Sequence, residues 1–341
     1  MVTAAQSGAR PRGLAQPSEL CAIELTERTM NPIHNILVIV DPTAERHPAV
    51  SKGALLAQRL DARMELFVCD TSASHQMRVA AQLREHPGQP ALLELKPMLE
   101  QLARPLRERG IDVATEVDRS EPLHAALVDR VRRTSADLVI KDTHHHSLAQ
   151  RTLLTNTDWH LIRECPLPLL LTKPRAWGNA PKVVAAVDPV HVNDKPAVLD
   201  HHILEHAALF AKSLAGELHL LYAYLPPSLL ASVAGMGTVP PVMPTQAELA
   251  RDAAQARALL ADLVARYRIA AADTHLEVGG AAEVLPRVAG SLQADIIAMG
   301  AISRSGLKRI FIGSTAEAVL ERLPCDALIV KPPNFTAMLP F

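Results

Sequence analysis

The sequence QADIIAMG, residues 293–300, decides the fold together with GST, residues 313–315, and PCDALIVKP, residues 324–332. The apolar runs 296–299 and 327–330 are short and continuous, as in strands that are buried on both faces of a parallel sheet. Between them, glycine and polar residues predict a loop that leads into the start of a helix. A buried strand, a polar loop, a helix and a second buried strand together are typical of an α/β unit.

The middle of the chain repeats this unit. SADLVIKDTHHH, residues 135–146, is followed by Asn156-Thr157 and by CPLPLLLTKP, residues 165–174. The copies differ in the loop, where the second has glycines that let backbone approach a ligand and the first has Lys, His and Thr. We therefore expect a duplication in which only the second copy can hold phosphate.

The repeat extends over two domains. Buried-strand patterns occur at 35–40, 64–69, 112–117, 138–140 and 169–171 in the first half, and at 182–187, 217–224, 274–278, 295–299 and 327–330 in the second. Helical patterns alternate with them, at 47–60, 91–109, 123–133, 200–214, 246–268, 282–292 and 316–322. This alternation predicts an α/β fold with two tandem Rossmann-like domains, each a parallel five-stranded sheet with helices on both faces.

We place the two domains at residues 31–175 and 176–341, with 177–181 as the linker. Residues 1–30 are rich in Ala, Gly, Pro and Ser and predict a poorly ordered extension. Two copies of one unit in a single chain are expected to pack as an intramolecular pseudo-dimer.

Composition narrows the function classes. The formal net charge of −1 over 341 residues gives no argument for nucleic acid or an anionic membrane. Four cysteines are widely spaced, which indicates neither a disulfide framework nor a zinc site. No apolar run approaches the roughly 20 residues of a membrane-spanning helix, and nothing resembles a signal peptide. These features predict a soluble cytoplasmic protein.

The candidate site lies where strands of the second half end. Asp188 follows the first strand of this half, and Gly300 begins the loop after the fourth. Gly306 permits a positive φ angle, and Gly313-Ser314-Thr315 opens a helix whose N–H groups and dipole favour phosphate. The alternative is that these glycines are turn residues and that Ser314 or Thr315 only caps the helix.

This pattern resembles the universal stress protein family, whose nucleotide-binding members carry Gly-x-x-Gly, nine residues, and Gly-Ser/Thr. Here Met299-Gly300 and Ser303 are followed by nine residues and Gly313-Ser314. The resemblance spans both halves and includes Lys-Pro after each last strand. THHH at 143–146 and TDWH at 157–160 are similar to the UspE-type branch. The resemblance implies UspA/HUP-type domains and a non-enzymatic bacterial stress-response protein.

The resemblance also implies a role for each site residue. Asp188 would lie near the ribose and phosphate end of a nucleotide, with Ala223 and Met299 beside the adenine. The phosphates would be held by Gly300, Ser303, Gly313 and Ser314, with Gly306 and Thr315 in the same loop and helix start. ATP is the implied ligand, in the second domain only, with no metal beyond a magnesium ion associated with the nucleotide. Ser303 departs from the family's second glycine.

In the first half we expect no nucleotide. Lys141 is expected to replace the first glycine, His144 the second and Thr155 the third, with one residue inserted and Asn156 at the Ser/Thr position. Side chains would then fill the space in which phosphate needs bare backbone. Asp41 keeps the position of Asp188.

Other chemistry finds little support. The adjacent histidines 144–146, and His202 with His206 four residues later, have no carboxylate or Cys pattern that completes a metal site. Neither a Gly-x-Ser-x-Gly elbow nor a Gly-x-x-x-x-Gly-Lys-Ser/Thr loop is present, so we expect a binding protein and not an enzyme.

Residues 225–244 predict an apolar loop that either covers a ligand pocket or packs between the domains. Two alternative functions therefore stay open. One is a carrier or sensor of a small apolar or lipid-like ligand, and the other is a structural interaction module. Further assembly into a homodimer is also left open.

Overall fold

A computed structural model of the chain describes residues 33–69, 95–118, 123–145, 152–190, 198–234, 243–301, 313–333 and 335. The predictions for the extension 1–30, for Ser303 and for Gly306 fall outside these described residues, as does the middle of the apolar segment 225–244.

The first half contains seven strands and four helices within the described residues. They are β1 (Asn35–Ile39), α1 (Pro48–Leu60), β2 (Arg63–Cys69), α2 (Leu95–Glu108), β3 (Val113–Asp118), α3 (Leu123–Arg133), β4 (Leu138–Asp142), β5 (His144–His145), β6 (Thr152–Leu153), α4 (Asn156–Glu164) and β7 (Leu169–Thr172). The short strands β5 and β6 form a separate antiparallel pair. The predicted strands and helices of this half are confirmed to within a few residues at their ends.

The second half continues with five strands and five α-helices in the described part. They are β8 (Lys182–Val187), α5 (Val198–Ser213), β9 (Glu217–Tyr224), α6 (Pro227–Ala234), α7 (Gln246–Tyr267), β10 (Thr274–Val278), α8 (Ala281–Leu292), β11 (Ile296–Gly300), α9 (Ser314–Arg322) and β12 (Asp326–Val330). The capping box predicted at α7 is present, since the Thr245 side chain accepts from the Glu248 N–H and the Glu248 carboxylate accepts from the Thr245 N–H.

One prediction for this half is wrong. Residues 225–244 were expected to form a loop, but 227–234 fold as α6. Proline at the first position fits a helix start, and the following Leu, Ala and Val residues give helix α6 an apolar surface. Part of the apolar content that suggested a cover therefore belongs to a short helix after β9.

The two halves share one sheet. Its order is β10-β9-β8-β11-β12-β7-β4-β1-β2-β3, so each half contributes five parallel strands. The halves join through β12 and β7, which pair antiparallel with Leu328 opposite Leu170. Since these two leucines are equivalent positions of the repeat, the junction has local twofold symmetry. The predicted α/β fold is confirmed, with the two five-stranded sets fused edge to edge.

Apolar packing covers both faces of this sheet. One buried cluster includes Val38, Leu56, Ile203 and Leu260 and packs against α1, α2, α5 and α7. The other includes Leu161, Val288 and Leu320 and packs against α3, α4, α8 and α9. Each cluster runs through both halves, because alternate residues of every strand point to opposite faces.

Buried polar contacts also cross between the halves. The Lys52 ammonium lies 2.6 Å from the Asp326 carboxylate, which also accepts from the Trp177 indole N–H at 2.8 Å. The Lys173 ammonium donates to the Leu323 carbonyl, and its repeat counterpart Lys331 donates to the Ile162 carbonyl. The lysine of each Lys-Pro sequence therefore binds the end of a helix in the other half.

Candidate functional site

A cavity of about 1140 Å³ opens at the carboxyl ends of β8, β9 and β11. The strand order reverses between β8 and β11, which is the point at which open parallel sheets bind ligands. Seven of the nine predicted site residues line the cavity: Asp188, Ala223, Met299, Gly300, Gly313, Ser314 and Thr315. The remaining two, Ser303 and Gly306, are outside the described residues.

Helix α9 begins at the cavity wall. Gly313 is its N-cap residue, with φ −63° and no side-chain capping hydrogen bond, and Ser314 is its first helical residue. The alternative that Ser314 or Thr315 is only a cap is therefore not what the structure shows. A Cβ atom built on Gly313 meets no atom of the described residues within 4 Å. Neither the backbone conformation nor packing against the described residues requires glycine here, and its bare backbone leaves room for a ligand at the positive end of the helix.

Gly300 has a different explanation. A Cβ atom at this position would lie 2.7 Å from Cδ2 of Leu199 and 3.4 Å from Cδ1 of Ile203. Both side chains belong to α5, which packs directly over the end of β11. A side chain at position 300 would have to displace Leu199, so the packing of α5 favours glycine here whether or not a ligand approaches it.

A second helix start on the same cavity was missed by sequence reasoning. Gly280 is the N-cap residue of α8 and has no side-chain capping hydrogen bond, and Gly279 has φ +138°. The Gly279 N–H donates to the Tyr224 carbonyl at 2.9 Å, which ties this turn to the end of β9. The signal was the Gly-Gly pair between a predicted strand and a predicted helix.

Acidic and phenolic groups surround the end of β8. The Asp188 N–H donates to Oδ1 of Asp200 at 3.1 Å, which ties the strand end to the first turn of α5. Burial, together with the charges of Asp188 and Asp200, raises the pKa of Tyr222 to about 12. Tyr222 is therefore a neutral phenol at physiological pH and presents both a ring and a hydroxyl group to the cavity.

The wall formed by the end of β9 and by helices α6 and α7 is mainly apolar, although Asp252 and Gln255 also line it. We name it the α6–α7 lobe and define it by Tyr224, Leu225, Leu230, Ala256 and Leu259. Helix α6 is held to α7 because the Ser228 N–H and hydroxyl donate to Asp252 Oδ2 at 3.0 and 2.5 Å. These hydrogen bonds lower the pKa of Asp252, so its carboxylate is charged at neutral pH.

The first half has a different arrangement at the equivalent position. Ile36 pairs with Leu138 as Val183 pairs with Ile296, so Lys141 corresponds to Met299 and Asp142 to Gly300. Helices α4 and α9 begin at the same distance after these residues. The expectation that Lys141 replaces the first glycine, with one residue inserted, is therefore wrong: Asp142 takes that place and nothing is inserted.

Charged side chains of the first half fill the space beside α4. The Lys141 ammonium lies 2.6 Å from Oδ1 of Asp158, a fully buried residue in the first turn of α4. Oδ2 of Asp158 accepts from the Thr155 N–H at 2.7 Å, and the Thr155 hydroxyl accepts from the Asp158 N–H. The counterparts of Lys141 and Asp158 in the second half are Met299 and Ala316, which carry no charge.

Neither a metal site nor a reactive thiol at Cys165 or Cys325 is supported in the described part of the chain. The described residues contain no group of three or more His, Cys, Asp or Glu side chains that could hold a metal ion. Burial raises the pKa of the Cys165 thiol to about 11 and that of the Cys325 thiol to about 12. Both are therefore protonated at neutral pH and are poor nucleophiles.

The family follows from a comparison with known sequences. The sequence profile of the "Universal stress protein family" matches residues 32–173 and 182–331. The chain belongs to the universal stress protein family. Each match covers one set of five parallel strands, so the two family domains coincide with the two halves of the sheet.

Relatives agree with the tandem, UspE-type architecture expected from the sequence. The chain is 27% identical to Universal stress protein E of Escherichia coli K12 over 306 residues, which cover 88% of this chain and 95% of that protein. It is 28% identical to Universal stress protein E of Salmonella typhi over the same length. A functionally unknown protein of Pseudomonas aeruginosa PAO1 has a crystal structure similar to this one, with a TM-score of 0.68, 27% identity and coverage of 89% and 94% of the two chains.

Of the helices that the structure describes, none has the length and apolar character needed to cross a bilayer.

Proposed function

We propose that this universal stress protein is a non-enzymatic stress-response factor whose second domain binds an adenine nucleotide, with ATP as the candidate ligand and a magnesium ion bound together with its phosphates. Occupancy of the cavity would change the surface that the loop after Gly300 and the start of α9 offer to partner proteins. The first domain would have the same fold but would bind no nucleotide.

The start of α9 carries this proposal. Helix α9 begins at Gly313, next to a cavity and without a side-chain cap, whereas α4 begins against the buried carboxylate of Asp158. A helix start favours a negative group, because its N–H groups and dipole carry partial positive charge. The first domain supplies that negative group itself, and the second domain leaves the position to a ligand.

The other predicted contacts fit around this phosphate position. Asp188 lies at the end of β8 and Ala223 near the end of β9, both on the cavity, and Met299 lines it from β11. These positions match the ribose and adenine contacts that the family pattern implies. The cavity is therefore suited to a ligand with an anionic end and a planar, less polar end.

Equilibrium binding of labelled ATP with Mg²⁺ to the full-length chain tests the proposal. We expect saturable binding by the wild type and its loss in Gly313→Lys, whose side chain would enter the phosphate position. Gly290→Lys is the matched control, since Gly290 is exposed in α8 and a Cβ atom there also meets no described atom within 4 Å. Absence of saturable binding by the wild type would rule out the nucleotide.

Native mass spectrometry of freshly purified protein gives an independent test. A retained ligand would appear as a discrete mass above that of the chain, and a nucleotide mass would agree with the proposal. A retained apolar molecule without a nucleotide would instead favour the second candidate function, a carrier of a small apolar ligand. The apolar side chains of the α6–α7 lobe are the observation that favours that candidate.

A further inference from the structure

The cavity is larger than a nucleotide site needs to be. Its volume of about 1140 Å³ exceeds the range of roughly 300–1,000 Å³ in which drug-sized ligands are usually enclosed. It is lined from both faces of the sheet, since Tyr222 and Leu199 belong to one apolar cluster and Met299 and Val319 to the other. The residues expected to contact a nucleotide account for only part of this lining.

Exposed apolar side chains are concentrated around this cavity, and most of them belong to the α6–α7 lobe. Among the described residues, eight large hydrophobic side chains are exposed, and four of these line the cavity: Val190, Leu225, Leu230 and Leu259. Their exposed fractions lie between 42% and 51%. Exposed apolar residues that converge on one concave surface are typical of a ligand or partner site, whereas scattered ones need no explanation.

Helix α6 supplies part of this surface. Its sequence, PSLLASVA, contains serine as its only polar residue type, and every described side chain of α6 is half-buried or exposed. None of its described side chains is fully buried, and two hydrogen bonds from Ser228 to Asp252 tether the helix to α7. A ligand that supplies apolar contact would bury the exposed side chains of α6 further.

We propose that the ligand of this cavity is an adenine nucleotide that carries an acyl chain, with the nucleotide bound between Asp188 and the start of α9 and the chain in the α6–α7 lobe. The inference rests on the proposed nucleotide site and adds the class of ligand. The two regions line one cavity, so one molecule that is long enough would contact both. No bond is made or broken in this binding step.

Calorimetric titration of the full-length chain with ATP, coenzyme A and octanoyl-coenzyme A tests the inference. Octanoyl-coenzyme A is the probe with a chain, and coenzyme A is the same nucleotide without it. We expect octanoyl-coenzyme A to bind at least tenfold more tightly than coenzyme A and to compete with ATP. Burial of about two methylene groups is sufficient for a tenfold change.

Matched leucine variants show where the acyl chain binds. Leu259→Gln and Leu230→Gln should remove the tenfold gain and leave ATP affinity unchanged. Leu249→Gln is the control, because Leu249 is a similarly exposed leucine of α7, 37% against 42% for Leu259, that does not line the cavity. Glutamine adds no charge and is tolerated in a helix, so an effect on binding is not an effect of electrostatics or folding.

The possible failures can be told apart. If ATP and coenzyme A bind but the octanoyl chain adds nothing, the acyl-chain inference is overturned and the nucleotide site stands. If the chain adds affinity that Leu259→Gln and Leu230→Gln both retain, the chain binds elsewhere and the inference is equally overturned. If none of the three probes binds, the proposed nucleotide function fails and the inference fails with it.

Discussion

In the first domain, helix α4 starts against a buried carboxylate that belongs to the protein, whereas in the second domain helix α9 starts at a bare glycine on a cavity. Both helices have nine residues and follow equivalent strands of one sheet. The repeats differ here at three positions, since Lys141, Thr155 and Asp158 correspond to Met299, Gly313 and Ala316. The first domain therefore keeps the fold with an internal anion and cation beside the helix start, where the second domain has uncharged residues.

The two domains remain dependent on each other. Lys173 and Lys331 each donate to a carbonyl at the end of a helix in the opposite half, and Lys52 pairs with Asp326 across the junction. These contacts are buried, so each costs solvation free energy that its partner must offset.

The largest expected effect comes from breaking the ion pair of the first domain. Asp158→Ala should lower the free energy of unfolding by about 3–5 kcal/mol, because it leaves Lys141 buried without its partner and removes the capping box of α4. Urea unfolding followed by circular dichroism measures the change. Lys141→Met with Asp158→Ala, which copies the second domain, should recover most of the loss. A cost below about 1 kcal/mol for the single variant would contradict a structural role for the pair.

The reverse exchange in the second domain should close its ligand position. Met299→Lys with Ala316→Asp places the charges of the first domain beside α9, and we expect ATP affinity to fall at least 100-fold, or about 2.7 kcal/mol. Aspartate near a helix start is favourable, so stability should be kept. Met299→Lys with Ala316→Asn separates the carboxylate charge from its size. If the aspartate variant bound ATP as tightly as the wild type, the internal anion would not be a substitute for phosphate.

Lys331 and its repeat counterpart Lys173 should contribute differently to the pH dependence of the free energy of unfolding. Burial lowers the pKa of Lys331 from 10.5 to about 8, so between these values the unfolded chain binds a proton that the folded chain has released. Stability therefore rises with pH in this window, by about 2 kcal/mol from pH 8 to pH 10 for this residue. Burial also lowers the pKa of Lys173, but the nearby Asp326 carboxylate opposes that change.

Urea unfolding at pH 8 and pH 10 of the wild type, Lys331→Met and Lys173→Met measures this difference. Buried tyrosines such as Tyr222 also affect the pH dependence, because their raised pKa destabilises the folded state above pH 10. Since the wild type and the variants share these tyrosines, comparing each variant with the wild type at the same pH removes their contribution. We expect the wild type to gain more stability than Lys331→Met on going to pH 10, and a smaller difference for Lys173→Met. Equal gains in all three proteins would show that Lys331 stays charged.

The sequence was sufficient to predict the ten strands of the large sheet, because uninterrupted apolar runs between Gly, Pro and Asp are a strong local signal. It also predicted seven site residues that the structure gathers around one cavity, since they all end strands or begin a helix at one edge of a parallel sheet. The sequence alignment of the two repeats was wrong by one residue, because it matched Lys141 to Gly300. The strand register, which the sequence does not show, matches Asp142 to Gly300.

The α6–α7 lobe of the cavity could not be predicted from the sequence. Helix α6 lies in a segment whose Pro, Gly and Met content favours a loop, and it is held by a contact between Ser228 and Asp252 that are distant in sequence. Leu230 and Leu259 meet only after α6 and α7 pack beside the strand ends. For Gly300, the pattern indicated ligand approach, but a side chain there would also have to displace Leu199. Tertiary contacts of this kind leave no periodic signal in the sequence.

The smallest expected effect comes from exchanging the N-cap residue of α9 for that of α4. Gly313→Thr should change the free energy of unfolding by no more than about 0.5 kcal/mol, because threonine and glycine are similar as N-caps and no described atom lies within 4 Å of the new Cβ atom. The hydroxyl would accept from the N–H groups of the first turn, and the methyl group would narrow the phosphate position. We expect ATP affinity to fall about tenfold and adenosine affinity to stay the same, as measured by competition titration. An equal loss for adenosine would mean that Gly313 supports the whole pocket and does not act through the phosphates.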